Sequence, residues 1–246
     1  MLVTPIKTKK ILLGDSLEEV LQSSLPQLQE NTVVVVTSKI VSLCEKSIAP
    51  LSTDKEALIK QEADQLIYDE STSPENKMLL TIKDNILVPW AGIDESNGDG
   101  QYVLWPKNPM TTAQKIWEYL RQEYRIKNVG VLIVDSTFIP LRTGSISVGL
   151  TWCGFKPITS YVGTPDVFGK PLKYTTTSMV DSLSIAAGLT MGEANNQQPL
   201  CVITDIPDIE FVDRVPNKEE LDSMHYPIDK DMFGPLLRAG KWEKSK

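Results

Sequence analysis

Histidine is almost absent from this 246-residue chain: His225, in "DSMHYPID", is the only one. Ser-His-Asp and Cys-His catalysis would both have to run through that single ring, and zinc sites built on several imidazoles are excluded. His225 itself reads as an ordinary surface or cleft residue. Cysteine is scarce as well. Cys44, Cys153 and Cys201 are far apart and odd in number. No CxxC spacing suggests zinc, and no disulfide framework suits a chain of this size, which points to a reducing compartment. Positive charge is in deficit, with a net charge of −7. No stripe of Lys and Arg could track a phosphate backbone, so nucleic-acid binding does not fit. No segment approaches the roughly 18 apolar residues of a spanning helix, and "MLVTPIKTKKILLG" lacks the apolar region of a signal peptide. These absences predict a soluble, cytoplasmic protein that engages neither nucleic acid nor membrane. Its chemistry is left to carboxylates, hydroxyls, lysines and metal ions.

The usual nucleotide and calcium motifs are missing too. No GxGxxG follows any apolar run. "GTPDVFGKP" resembles a P-loop only superficially: five residues, not four, separate Gly163 from Gly169. Lys170 is followed by Pro171 instead of the Ser or Thr that would meet magnesium. "DESNGDG" is no EF-hand loop, because Gly98 falls on a ligand position and Trp105 stands where the closing glutamate belongs.

What is present is an ordinary globular composition, 41% hydrophobic and 23% charged. "TVVVVTSKIV" (Thr32–Val41) predicts a strand buried on both faces. "DNILVPWAGI" (Asp84–Ile93), "NVGVLIVDS" (Asn128–Ser136) and "PLCVITDI" (Pro199–Ile206) are further strand candidates, with Pro89 arguing for an edge or a bend. Helices are predicted for "DSLEEVLQSSL", with Ser16 and Glu19 as a capping box. Three more are "DKEALIKQEADQLIYDE", with a stripe of Leu58, Ile59, Ala63, Leu66 and Ile67, "TTAQKIWEYLRQEYRI", capped by Thr111 with Gln114, and "TSMVDSLSIAAGLTMGE". The alternation indicates an α/β or mixed α+β fold, here one domain over 1–246. The turn-rich stretch around 144–170 is the candidate divide between two lobes.

Three oxygen-rich turns follow apolar segments: Asp94 with Asn97 in "WAGIDESNGDG", Asp135 with Ser136 at the end of "VGVLIVDS", and Glu193 in "MGEANNQQP". Strand ends of α/β sheets hold ligands, and hard cations take oxygen donors, with substrate phosphates completing a magnesium shell. An Asp after a strand also serves as a turn former or helix cap, so on spacing alone both readings stand for each residue. The same holds for "TSK", where Thr37, Ser38 and Lys39 suit phosphates or simply prolong the strand.

Taken together and in order, these segments resemble the γ-glutamyl ligases that add glutamate to the precursor of the deazaflavin coenzyme F-420. The segments are "VVVVTSKIVS", "AGIDESN", "PKNPMTTAQKI", "VLIVDS…LRTG", "DVFGKPL" and "VDSLSIAAGLTMGE", and they span roughly Pro5 to Ile206. The resemblance implies the γ-glutamyl ligase fold, an intertwined homodimer of two-lobed chains, GTP, and Mg2+ or Mn2+, with K+ as a further candidate. It implies an acyl phosphate on the acceptor carboxylate, followed by attack of L-glutamate. Carried over by position, Asp94, Asp135, Ser136 and Glu193 look like metal ligands. Ser38, Lys39, Asn97, Met191, Gly192 and Asn195 look like nucleotide contacts, as do Lys10 and Ile11 of "KKIL". Asp135 and Arg142 look catalytic, although Arg142 also reads as a structural ion pair. The chain departs from the family in three places. Leu43 replaces a lysine, with Lys46 displaced nearby; "DSTFIPLRTG" replaces a Thr-x-Gly-Arg pattern; and "GLT" (Gly149–Thr151) replaces "AIG". The last two turn the expected acceptor from the deazaflavin precursor towards folate. The first motivates the alternative of a non-catalytic nucleotide- or cofactor-binding protein on the same fold.

Overall fold

The run of four valines forms the middle of a mixed sheet in the computed structural model, which describes residues 1–68 and 79–245. The sheet order is β1 (Leu2–Ile6), β12 (Leu200–Thr204), β2 (Thr32–Thr37), β8 (Val129–Phe138) and β9 (Ser145–Cys153). Only β2 and β8 run parallel; the other neighbours are antiparallel. Side chains alternate across a strand, so Val34 and Val36 face α1 (Leu17–Ser24), α2 (Ser38–Glu45) and α4 (Pro109–Tyr124). Val33 and Val35 face α5 (Met179–Met191) on the other side. Burial on both faces explains why the run is apolar without alternation.

Beside this layer lies a smaller antiparallel sheet in the order β13 (Glu243–Lys244), β4 (Gln65–Tyr68), β5 (Leu79–Lys83) and β6 (Ile86–Pro89). A two-stranded pair, β3 (Ile48–Pro50) with β7 (Gln101–Val103), joins it together with α3 (Lys55–Glu62). Leu58, Ile59, Leu79, Ala91, Ile93 and Tyr102 pack there as a separate core cluster. The hairpin β10 (Ile158–Ser160)–β11 (Thr176–Ser178) and the short helices α6 (Lys218–Met224) and α7 (Gly234–Ala239) complete a mixed α/β fold.

Several sequence expectations need correction. The strand at Thr32 ends at Thr37, and "SKIVSLCE" turns into helix instead of prolonging it. The helix at Lys55 stops at Glu62, and Leu66 and Ile67 belong to β4; the last two residues of that predicted helix, 69 and 70, lie outside the described residues. The cap of α4 is Asn108 with Pro109 in the first turn, not Thr111, as suits a proline that has no N–H to offer. Ser16 does cap α1 by accepting from the Glu19 N–H. Pro89 marks both an edge and a bend: β6 is an edge strand, and Trp90–Gly92 leave it as a 3-10 turn. The stretch read as turn-rich opens with the nine-residue strand β9.

Candidate active site

Because β2 and β8 are parallel, their C-terminal ends lie side by side, and β12, antiparallel to β2, begins at that same end. A cavity of about 770 Å³ opens there. Its walls come from the 8–13 loop after β1, the first turn of α2, the 94–101 turn, the end of β8 and the 191–199 segment after α5.

Each segment reaches the cavity for a local reason. α2 starts at Ser38, and its N-cap residue, Thr37, makes no side-chain cap bond. The first-turn N–H groups of Ser38 and Lys39 are therefore left open at the cavity, with the positive end of the helix dipole. In the 94–101 turn, Asn97, Asp99 and Gly100 take positive φ, and a Cβ on Gly98 would lie 2.3 Å from the Gln101 carbonyl oxygen. That tight path brings Asp94, bridged to Val103 through both backbone bonds, opposite Lys39. The Lys39 ammonium donates to Asp94 Oδ2 at 2.5 Å and to Ser96 Oγ and the Ser96 carbonyl at 3.0 Å each. Burial works against the Asp94 charge, but the Lys39 and Ser96 donors outweigh it and hold the carboxyl below its ordinary value.

At the end of β8, neighbouring side chains point to opposite faces. Ser136, on the α5 side, donates from Oγ to Glu193 Oε2 at 3.1 Å. Gly192, with φ 78, ends α5 just before that glutamate. Asp135, on the other side and half-buried, accepts from the Ser136 N–H at 2.9 Å and from the indole N–H of Trp105. Burial pushes its carboxyl up to about 6, and these donors with the Lys39 charge pull it only partly back.

Twelve of the thirteen residues singled out from sequence line this one cavity: Lys10, Ile11, Ser38, Lys39, Asp94 and Asn97 from the first half of the chain, and Asp135, Ser136, Met191, Gly192, Glu193 and Asn195 from the second. Arg142 does not; it is exposed at the β8–β9 hairpin tip. Leu43 lines the cavity, but Lys46 does not replace the missing lysine there, because it caps α2 with its stem along Gly14. The "IPLR" and "GLT" departures lie outside the lining, as does the loop holding "GTPDVFGKP". His225 is exposed and also outside it. Sequence reasoning missed Trp105, which belongs to no motif and meets the cavity only through Asp135. Lys9 of "KKIL" and Gln197 and Gln198 of the "MGEANNQQ" tail, segments it had placed near the nucleotide, line the cavity. Among the described residues, no three His, Cys, Asp or Glu side chains come together closely enough to hold a metal ion unaided. No helix among them is long and apolar enough to cross a membrane.

The family model for F420-0:gamma-glutamyl ligase matches residues 5–205. Coenzyme F420:L-glutamate ligase of Methanococcus maripaludis strain C7 is 31% identical over 194 residues, covering 73% of this chain and 78% of its own. The proteins of the same name from Methanothermobacter thermautotrophicus and Methanopyrus kandleri are 29% and 27% identical, covering 79% and 82% of this chain and 84% and 86% of theirs. With the whole cavity inside the matched stretch, the chain belongs to the F420-0:gamma-glutamyl ligase family.

Proposed function

We propose that the protein is a GTP-dependent amide ligase that joins L-glutamate to a carboxylate of the deazaflavin precursor F420-0 through an acyl phosphate. The observation that carries this reading is the meeting, in one cavity, of an open helix N-terminus and lysines with Asp94, Asp135, Ser136 and Glu193. Cations and backbone N–H groups suit phosphates, and the acidic set suits a divalent cation. Those donors are hard oxygens that do not converge closely enough to enclose an ion unaided, as suits Mg2+ or Mn2+ whose shell is completed by phosphate oxygens. Asp94, Asp135, Ser136 and Glu193 would divide the holding of such metal among them, with no single ion taking all three carboxylates. When bound, it supplies charge neutralisation on the phosphates and polarisation of the transferred group.

The residues of the chain then have distinct tasks. The α2 N-terminus and Lys39 receive phosphate oxygens, with Lys39 moving between Asp94 and the nucleotide. Lys10, Asn97, Asn195 and the 197–198 glutamines surround the rest of the nucleotide. The acceptor carboxylate attacks the γ-phosphorus, GDP leaves, the glutamate amine attacks the acyl carbon, and phosphate departs. Phosphoryl transfer of this kind depends on positioning and charge, so the near absence of histidine is no obstacle. The departures behind the folate expectation lie outside this cavity, and the relatives' names put the deazaflavin precursor first. Exposed Leu141, Val167, Phe168 and Leu189 are apolar side chains of the kind a homodimer would cover.

The test is to incubate the protein with L-glutamate, GTP, Mg2+ or Mn2+, with and without K+, and either F420-0 or folate, and to weigh the products. A glutamyl unit on F420-0 that requires both GTP and metal is the expected result. Addition to folate alone would replace the acceptor. Bound nucleotide with no product on either would favour the non-catalytic reading that Leu43 motivates.

A further inference from the structure

We propose that Trp105 is a positioning residue for Asp135, its indole N–H fixing the orientation in which that carboxylate faces the cavity. The inference rests on the reading above in placing Asp135 at the reacting phosphates. The terminal torsion of an aspartate is broad and soft, so two donors, one on each oxygen, are an effective lock. The Ser136 N–H takes Oδ1 and the Trp105 indole takes Oδ2.

Burial alone does not require this pairing. Trp117 and Trp242 donate to backbone carbonyls, of Val129 and Leu237, and Trp152 Nε1 is buried without a partner. Trp105, 4% exposed, is instead aimed at a cavity carboxylate. Its surroundings are built around that aim. Trp90, Ala91 and Gly92 all take positive φ, of 53, 54 and 70°, a costly path for the two non-glycine residues. The Ala91 N–H is anchored on buried Thr81 Oγ1 at 2.8 Å. The turn leaves the indole its space: a Cβ on Gly92 would lie 2.1 Å from Trp105 Nε1. On the ring lies Lys83 Nζ, 5.4 Å from the centroid, its side chain only 8% exposed and paired to Glu62 at 2.7 Å. A cation over an indole draws electron density from the ring and makes the N–H a stronger donor.

The test compares Trp105→Phe, which keeps the ring and loses the N–H, with Asp135→Asn and Lys83→Met. Mn2+ is titrated in the presence of GTP and followed by electron paramagnetic resonance, beside kcat and the KM for glutamate. Trp105→Phe is expected to lose about 10- to 100-fold in Mn2+ affinity or kcat, the range for outer partners of metal ligands, with the KM for glutamate unchanged. Lys83→Met should move the same way by less. In 15N-indole spectra the Trp105 signal, identified by its absence from Trp105→Phe, should shift in Asp135→Asn. Full turnover in Asp135→Asn would overturn the site reading itself. An inactive Asp135→Asn beside a Trp105→Phe of wild-type affinity and kcat would overturn the positioning role alone. Should Trp105→Phe fail to fold, the indole signal is identified by single-tryptophan substitution at the other four positions, and its indifference to Asp135→Asn would overturn the proposal.

Discussion

Gly92 and Trp105 share a space that holds only one of them at full size. An added methyl at Gly92 meets the indole nitrogen at 2.1 Å, on a backbone whose φ of 70° already disfavours any side chain. Gly92→Ala should therefore cost about 1–3 kcal/mol, the usual range for overpacking, and denaturant unfolding would measure it. A midpoint equal to the wild type would mean that the indole has room to yield. The glycine was legible in "WAGIDESN" as a backbone-permissive residue beside Asp94, but its partner was not. Nothing in spacing connects position 105 with 92 or 135, because the contact is made by a loop folded across the end of a strand. By contrast, Asp94, Asp135 and Glu193 were legible because each follows an apolar run, and a strand or helix end is where a chain meets solvent and ligand.

At the scale of elements, the long apolar strands and α5 could be read from composition and periodicity. α2 could not. Ile40 and Val41 are β-branched, so "TSKIVS" reads as more strand; the helix wins because it packs Ile40 and Val41 into the core over β2 and β8. The entry to β2 and β8 is fastened by one carboxylate as well as by the Asn31–Asn128 contacts. Glu30 accepts from the Lys127 N–H at 3.0 Å and the Asn128 N–H at 2.6 Å. Those backbone donors, first Lys127 and then Asn128, hold its carboxyl below the ordinary 4.5. A lowered folded value stabilises the protein above the unfolded one and loses that contribution as pH falls through the folded value. Glu30→Ala should thus lower the unfolding midpoint at neutral pH, and the difference from wild type should shrink at acidic pH below 4.5. A difference that stays constant across that titration would show that packing, not the charged bonds, is lost.

For the whole molecule, the fold class was legible and the topology was not. Alternation of strand and helix patterns suffices for a mixed α/β fold, whereas strand order depends on pairings that no local pattern records. That order has a consequence for how the chain is made. β1 and β2 leave the ribosome first, yet β12, which lies between them, ends at Thr204. β2, with its four fully buried valines, has no neighbour on either edge until residues 129–134 have emerged, and none on the second until residues 200–203 follow. Proteins dominated by such non-local pairings fold slowly, and an unpaired apolar strand invites pairing between chains. Refolding from denaturant should accordingly be slow, with recovery of native protein falling and light scattering rising as chain concentration increases; recovery independent of concentration would show that the valines are shielded early. The strand that is best protected in the finished protein is thus left exposed through much of its birth.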